Sequence, residues 1–380
     1  MLVDELVDGA KGAALPLIRH DLGLSYGQVG LLASVPLLVG GFLELPLGVL
    51  AGQGRRRRLA VLGGGVLFVL TLLGTASAGS FAVLMATFVA FYPASGAFVS
   101  LTQAQIMDAW PDRQAQVMAR WDLAGAIGAV AGPLLLTAVL AVEGGGEVGG
   151  GWRAAYVVLA GLAALAWLGA YLRGPAAAVP STPGSADRAR RPWTERAREI
   201  GQALRDTRTL RWLLLIEVGD LLVDVFTGFL ALYLVDVAHM TPAVAALAIA
   251  IRLGAALAGD AALIVILERV SDLTVLRASA AAAALLYPAF LLVPGVVAKL
   301  VILAALSAAT APWYPVVQAR LYGSLPGRSS VAVTLSSAAG LAGGLGPLAV
   351  GLAAQEFGLS WALAALVAVP VAVLLVPGRA

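Results

Sequence analysis

Runs of about twenty apolar residues, closed by Gly, Pro or clusters of Arg, follow one another along this chain almost without a break. Such a pattern leaves few structures open. About twenty apolar residues cross the hydrocarbon of a bilayer, where every backbone N–H and C=O must be satisfied within the segment. The runs therefore predict membrane helices, at 1–18, 26–51, 59–77, 81–106, 117–142, 153–172, 212–235, 242–267, 273–294, 296–320, 329–354 and 359–376. The fold class expected is all-α integral membrane, with about 12 transmembrane helices as two parallel six-helix pseudo-repeats and an apparently short first helix. Twelve spans use most of the 380 residues, and only 12% of those are charged, against about 25% in a soluble domain.

The two halves repeat. Asp4-Glu5-Leu6-Val7-Asp8 with Gly12 returns as Asp220-Leu221-Leu222-Val223-Asp224 with Gly228, and the same offset pairs Glu44 with Asp260. Ser25 with Gln28 reads as a capping box opening the second span, and Thr241-Pro242 opens the eighth in the same way. Gln103 and Gln318 correspond in helices four and ten, each followed by a proline, Pro111 and Pro326. We expect an N-terminal bundle over 1–172, a cytoplasmic linker over 173–211 and a C-terminal bundle over 212–380. The linker is Pro- and Ser-rich from Pro175 to Ser185, and then places Trp193, Ala197, Ile200 and Leu204 on one helical face among arginines. That face suits a helix lying on the anionic inner leaflet; a solvated charged linker is the alternative.

Positive charge sets orientation. Of the 25 Lys and Arg, twenty fall in loops, helix ends and the tail on one side; Arg19, Arg153 and Lys299 fall on the other, and Lys11 and Arg252 inside spans. The excess marks the cytoplasmic side, with both termini there and the chain in a cell's inner membrane. The first span, carrying Asp4, Glu5, Asp8 and Lys11, is short and highly charged, and we expect the natural start to lie about ten residues upstream.

Carboxylates in apolar helices cost about 2.5 to 3.5 kcal/mol each at the bilayer centre and mark ion or substrate paths. Glu217, Asp220 and Asp224 are spaced three and four apart, so a regular helix puts them on one face. Three like charges on a dry face cannot all stay ionised, so at least one holds a proton in some state. On the first span Asp4, Asp8 and Lys11 share a face, and Lys11 could neutralise Asp8, leaving Asp224 the better proton carrier. Asp224, Asp220, Asp8 and Glu217 are the proton-coupling candidates. Arg252, Asp260 and Glu44 are gate or packing candidates. With no cysteine, and histidine only at His20 and His239 past helix ends, no cofactor or metal site is expected. The net charge of +3 comes from loop arginine, which is no argument for nucleic acid.

Two motifs carry a resemblance. Gly48-Val49-Leu50-Ala51-Gly52-Gln53-Gly54 with Arg55, Arg56, Arg57 and Arg58 resembles the loop signature between helices two and three of the major facilitator superfamily, although Gly52 stands where the family has an acid. Gly125, Gly128 and Gly132-Pro133 in the fifth helix resemble the exporter and antiporter motif of that superfamily, without its trailing Gly-Gly; helix eleven echoes it in Gly340, Gly343, Gly344 and Gly346-Pro347. The segment through Ser25-Tyr26 and Gly30-Leu31-Leu32 is similar to fosmidomycin-resistance-type drug exporters. The resemblance implies the major facilitator fold, gating roles for Arg55, Arg56, Gly128, Gly132 and Pro133, and a cavity lined by helices one, four, seven and ten. Asp4, Lys11, Tyr92, Gln103, Phe226, Tyr233, Trp313, Tyr314 and Gln318, with Phe88 and Phe91, are the substrate candidates there.

Together these features predict a monomeric proton-coupled secondary transporter for a small amphipathic or cationic molecule, an efflux antiporter working by alternating access and no enzyme. Its partners are the solute, protons and the lipid bilayer. Uptake or uniport of a polar solute, lipid or metal cation is the alternative, and a non-transporting membrane sensor a remote one.

Overall fold

The computed structural model describes residues 1–50, 55–109, 114–142, 151–172, 201, 203–325 and 329–375. These residues form helices and turns, with no strand among them. Twelve helices follow in chain order: α1 (Leu2–Leu22), α2 (Tyr26–Leu50), α3 (Arg55–Ala76), α4 (Phe81–Ser95, continued through Leu101–Ala109), α5 (Gln114–Val142) and α6 (Gly151–Leu172), then α7 (Thr207–Asp220, continued through Phe226–Leu232), α8 (Pro242–Leu267), α9 (Asp272–Leu292), α10 (Val296–Thr310 and Trp313–Ser324), α11 (Ser329–Gly343 and Gly346–Phe357) and α12 (Leu359–Ala364 and Ala368–Leu374). Eight of the helices, α3 to α6 and α8 to α11, are long and apolar enough to cross a membrane. α1 carries Asp4, Glu5 and Asp8, and α7 carries Glu217, Asp220 and Asp224. The loop positions Gly52 and Gln53, the prolines Pro111 and Pro326 and the linker face at Trp193, Ala197 and Ile200 lie outside the described residues, as does the side chain of Glu44.

The expected caps form. Ser25 N–H donates to Gln28 Oε1 at 2.9 Å and Gln28 N–H to Ser25 Oγ at 3.2 Å; in the second half Thr241 Oγ1 accepts from Val244 N–H at 3.4 Å. Each preceding helix ends in a left-handed residue, Gly23 (φ 61) after α1 and His239 (φ 52) after α7, so the repeat seen in the sequence extends to the backbone. Asp206 caps α7, accepting from Arg208 N–H, Thr209 N–H and the Thr209 hydroxyl, and these donors hold its carboxyl below the usual carboxylate range. α4 and α7 are interrupted by π turns, at Gly96–Ser100 just after Pro93 and at Leu221–Val225 and Tyr233–Val237.

The chain divides into two compact units. One holds α1 to α6 with 227–253 and 347–362. Inside it α1 and α5 meet along a seam of glycines: a Cβ on Gly128 would strike Leu2 O, one on Gly132 would strike Leu6 O, and one on Gly9 would strike Ala129 O. Phe68, Phe91 and Phe98 pack together in its core, with centroids 5.0 and 6.0 Å from Phe68. The other unit holds described residues through 226, 254–346 and those from 363 on. Its core centres on Phe226, edge-on to Tyr287 and Phe290 at 5.2 and 5.6 Å, with Tyr287 Oη donating to Leu363 O at 2.8 Å. Leu165, Leu285 and Trp361 are 66%, 76% and 74% exposed; large apolar side chains bare on long apolar helices suit lipid, not water.

Candidate functional site

The first constellation lies on the inner faces of α1, α3, α4 and α6. Lys11 Nζ donates to Asp8 Oδ1 at 2.8 Å, the pairing its spacing on α1 predicts. Beyond that bond the ammonium rests over three rings of α4, with centroids of Phe88, Phe91 and Tyr92 at 5.8, 5.7 and 5.3 Å. The Lys11 and Asp8 side chains remain 24% and 45% exposed, so the pair can be reached. A small cavity beside them, with room for about one water, is lined by Val7, Lys11, Leu72, Thr75, the three rings and Tyr156. The buried Tyr156 hydroxyl has no hydrogen-bond partner among the described residues. One turn earlier, Asp4 Oδ1 accepts from the Ser95 hydroxyl at 2.6 Å. Gly40 of α2 leaves the space that the Tyr92 side chain fills, which fixes that ring from behind.

The second constellation is on α7, α10 and α11. Both oxygens of Glu217 are buried with no side-chain hydrogen-bond partner among the described residues, and Oε2 lies against the Gly343 backbone, where a Cβ on that glycine would stand. Asp220 is half-buried, whereas Asp224 is exposed. A regular helix would have kept all three on one face; the π turn at Leu221–Val225 shifts the register and turns Asp224 away from Glu217. Tyr314 of α10 is exposed. Trp313 is buried, donating from Nε1 to Ser279 Oγ at 3.0 Å, and its ring meets the bare Cα of Gly219, 3.7 Å from where a Cβ would be. Thr209 Oγ1 and Ser324 Oγ, 3.1 Å apart, hold the same two helices at their other end. Gln318 Oε1 is buried without a partner on α10.

The remaining candidates stand apart from both. Gln103 donates to Met118 Sδ at 3.2 Å, about 15 Å along α4 from Tyr92. Phe226 and Tyr233 are buried, at 1% and 4% exposure, and Phe226 belongs to the core described above. Arg252 is buried and Asp260 exposed; Arg55 and Arg56 are exposed at the start of α3. Gly128, Gly132 and Pro133 belong to the α1–α5 seam, Pro133 Cδ lying 3.0 Å from where a Cβ on Gly9 would be.

Sequence reasoning missed a lock at the α1–α2 turn. Asp236 Oδ2 accepts from Arg19 Nη1 and from Tyr26 Oη, both at 2.8 Å, and the Arg19 guanidinium stacks 4.2 Å over the Tyr26 ring. Nearby, α2 and α11 cross at glycines: a Cβ on Gly30 would meet Pro347 O at 2.7 Å, and one on Gly351 would meet Tyr26 O at 2.6 Å. Leu348 N–H donates to Ser34 Oγ at 3.0 Å and Gly27 N–H to Gln355 Oε1 at 3.2 Å. The Arg19–Asp236 pair spans 217 positions, and only the opposite signs at two helix ends hinted at it.

The long apolar helices and bare apolar surfaces of the described residues define a multi-pass membrane protein. The Major Facilitator Superfamily profile matches residues 5–308, and the chain belongs to that family, which places it among transporters rather than enzymes. A search of curated protein sequences finds no match. Among solved structures the chain is similar to a bacterial homologue of the human lysosomal transporter Spinster in an inward-facing, occupied conformation, with a TM-score of 0.78 at 16% identity over 98% of this chain and 92% of that one. It is also similar to the nucleoside transporter NupG (TM-score 0.75, 12% identity, 98% and 95% covered) and to a D-xylose–proton symporter (0.70, 15%, 98% and 94%). At such identities the likeness is one of fold.

Proposed function

We propose that this chain is a proton-coupled carrier that exchanges protons for a small amphipathic or cationic solute, an efflux antiporter in a cell's inner membrane with both termini in the cytoplasm, working as a monomer by alternating access. The observation that carries this reading is the acidic ladder of α7. An ionised carboxylate buried without a counter-charge costs several kcal/mol, and Glu217 has both oxygens buried against the Gly343 backbone with no cation beside them among the described residues, which favours the neutral, protonated acid. Asp220 and Asp224 continue from it to an exposed position, a route by which a proton can leave. The cationic solute follows from charge: the first half of α1 presents Asp4, Glu5 and Asp8 against Lys11, and the middle of α7 adds Glu217, Asp220 and Asp224. Proton-linked uptake of a polar solute is the second reading, favoured by that same number of carboxylates.

The test is proton movement in proteoliposomes loaded with a pH dye, with quaternary ammonium ions, amphipathic amines, sugars and nucleosides added outside in turn. Antiport makes the interior more alkaline as a cation enters; symport makes it more acidic. No proton movement with any solute that the vesicles demonstrably take up would overturn proton coupling.

A further inference from the structure

The ammonium of Lys11 sits as a bound organic cation sits in an aromatic receptor: three ring faces within 6 Å and one carboxylate hydrogen bond. We infer that Phe88, Phe91, Tyr92 and Asp8 form the carrier's receptor for a substituted ammonium ion, and that Lys11 occupies it in this conformation as a tethered competitor. The inference rests on the reading of the chain as a cation carrier and names where the cation binds.

Three features favour a receptor over a lysine that is merely packed. The pair is exposed enough for exchange, at 24% and 45%. The small cavity that Lys11 and the rings line together, and the buried Tyr156 hydroxyl on its wall, add to the volume that Lys11 vacates when it withdraws, so a cation larger than one ammonium is accommodated. The rings are held from outside the site, Phe91 by Phe68 at 5.0 Å and Tyr92 against Gly40, so the cage does not depend on Lys11 for its shape. A resident competitor sets a threshold, because a site occupied by its own side chain shows an outside ligand only the unoccupied fraction.

Tetramethylammonium is the probe, with tert-butanol as the uncharged control, on the full chain purified in detergent. The chain has two lysines, Lys11 and Lys299, and Lys299 Nζ donates to Phe290 O and Leu291 O at 2.6 and 3.2 Å, contacts that involve none of the cage residues. Reductive methylation followed by peptide mass spectrometry therefore has an internal reference. Tetramethylammonium should raise labelling of Lys11 severalfold and leave Lys299 unchanged, whereas tert-butanol should alter neither. In Lys11→Met the half-saturating concentration of tetramethylammonium, read from thermal stabilisation, should fall about tenfold, and a further Asp8→Asn or Tyr92→Leu should restore weak binding. Unchanged Lys11 labelling in the wild-type chain, or binding that ignores Tyr92, overturns the receptor. Displacement of Lys11 without proton flux in vesicles would instead remove the coupled-carrier reading and keep the site. Cation-driven proton flux unaffected by Tyr92→Leu would keep the carrier and remove the site.

Discussion

Arg19, Arg153 and Lys299 are the three cations that the charge rule leaves on the poorer side, and each is held. Arg19 bonds Asp236; Arg153 pairs with Asp21 and donates to Ala78 O at 2.8 Å; Lys299 donates to two carbonyls at the end of α9. Such partners explain how positive charge persists away from the arginine-rich loops. The sequence showed the asymmetry but not the partners, because each lies far along the chain or on the backbone. His239 is a second case. Its φ of 52 repeats the turn made by Gly23, in a region that His and Asn tolerate and β-branched residues do not. We expect His239→Asn to leave thermal stability unchanged and His239→Val to lower it by about 1–2 kcal/mol, measured by unfolding in detergent. A larger loss in His239→Asn than in His239→Val would show that the imidazole, not the turn, matters.

At the scale of elements, the glycines of α5 illustrate how far a motif can be read. Gly128 and Gly132 were legible as a feature of the family, but their partners on α1 were not, since glycine carries no side chain from which to infer a contact. In the structure they let two backbones touch, with Leu2 O and Leu6 O filling the missing Cβ positions. Two glycines of α1 provide an internal comparison: a Cβ on Gly9 would collide with Ala129 O, whereas one on Gly12 would meet nothing within 4 Å. Gly9→Ala should therefore destabilise the protein by about 1–3 kcal/mol, and Gly12→Ala should stabilise it by about 0.5–1 kcal/mol through helix propensity. Equal effects at the two positions would contradict the seam. The π turn of α7 was hidden for a related reason, because spacing of three and four assumes a regular helix, and only the structure shows Asp224 exposed while Glu217 is covered.

At the scale of the whole molecule, twelve helices and their order followed from one constraint, that backbone in lipid must bond to itself. The acids of α1 and α7 were legible for the complementary reason, since each is costly where it stands. What stayed hidden was which acid is buried and which cation is caged, because both depend on contacts between helices distant in sequence. Glu217 is the residue proposed to carry the coupled proton. The most direct test of that role compares wild type with Glu217→Gln in proteoliposomes, using the solute that moves protons in the panel. Glu217→Gln should retain solute exchange across vesicles at equal pH but lose accumulation driven by a pH gradient, by about tenfold or more, as expected when an essential proton carrier is removed. Gradient-driven accumulation at the wild-type level in Glu217→Gln would contradict that role.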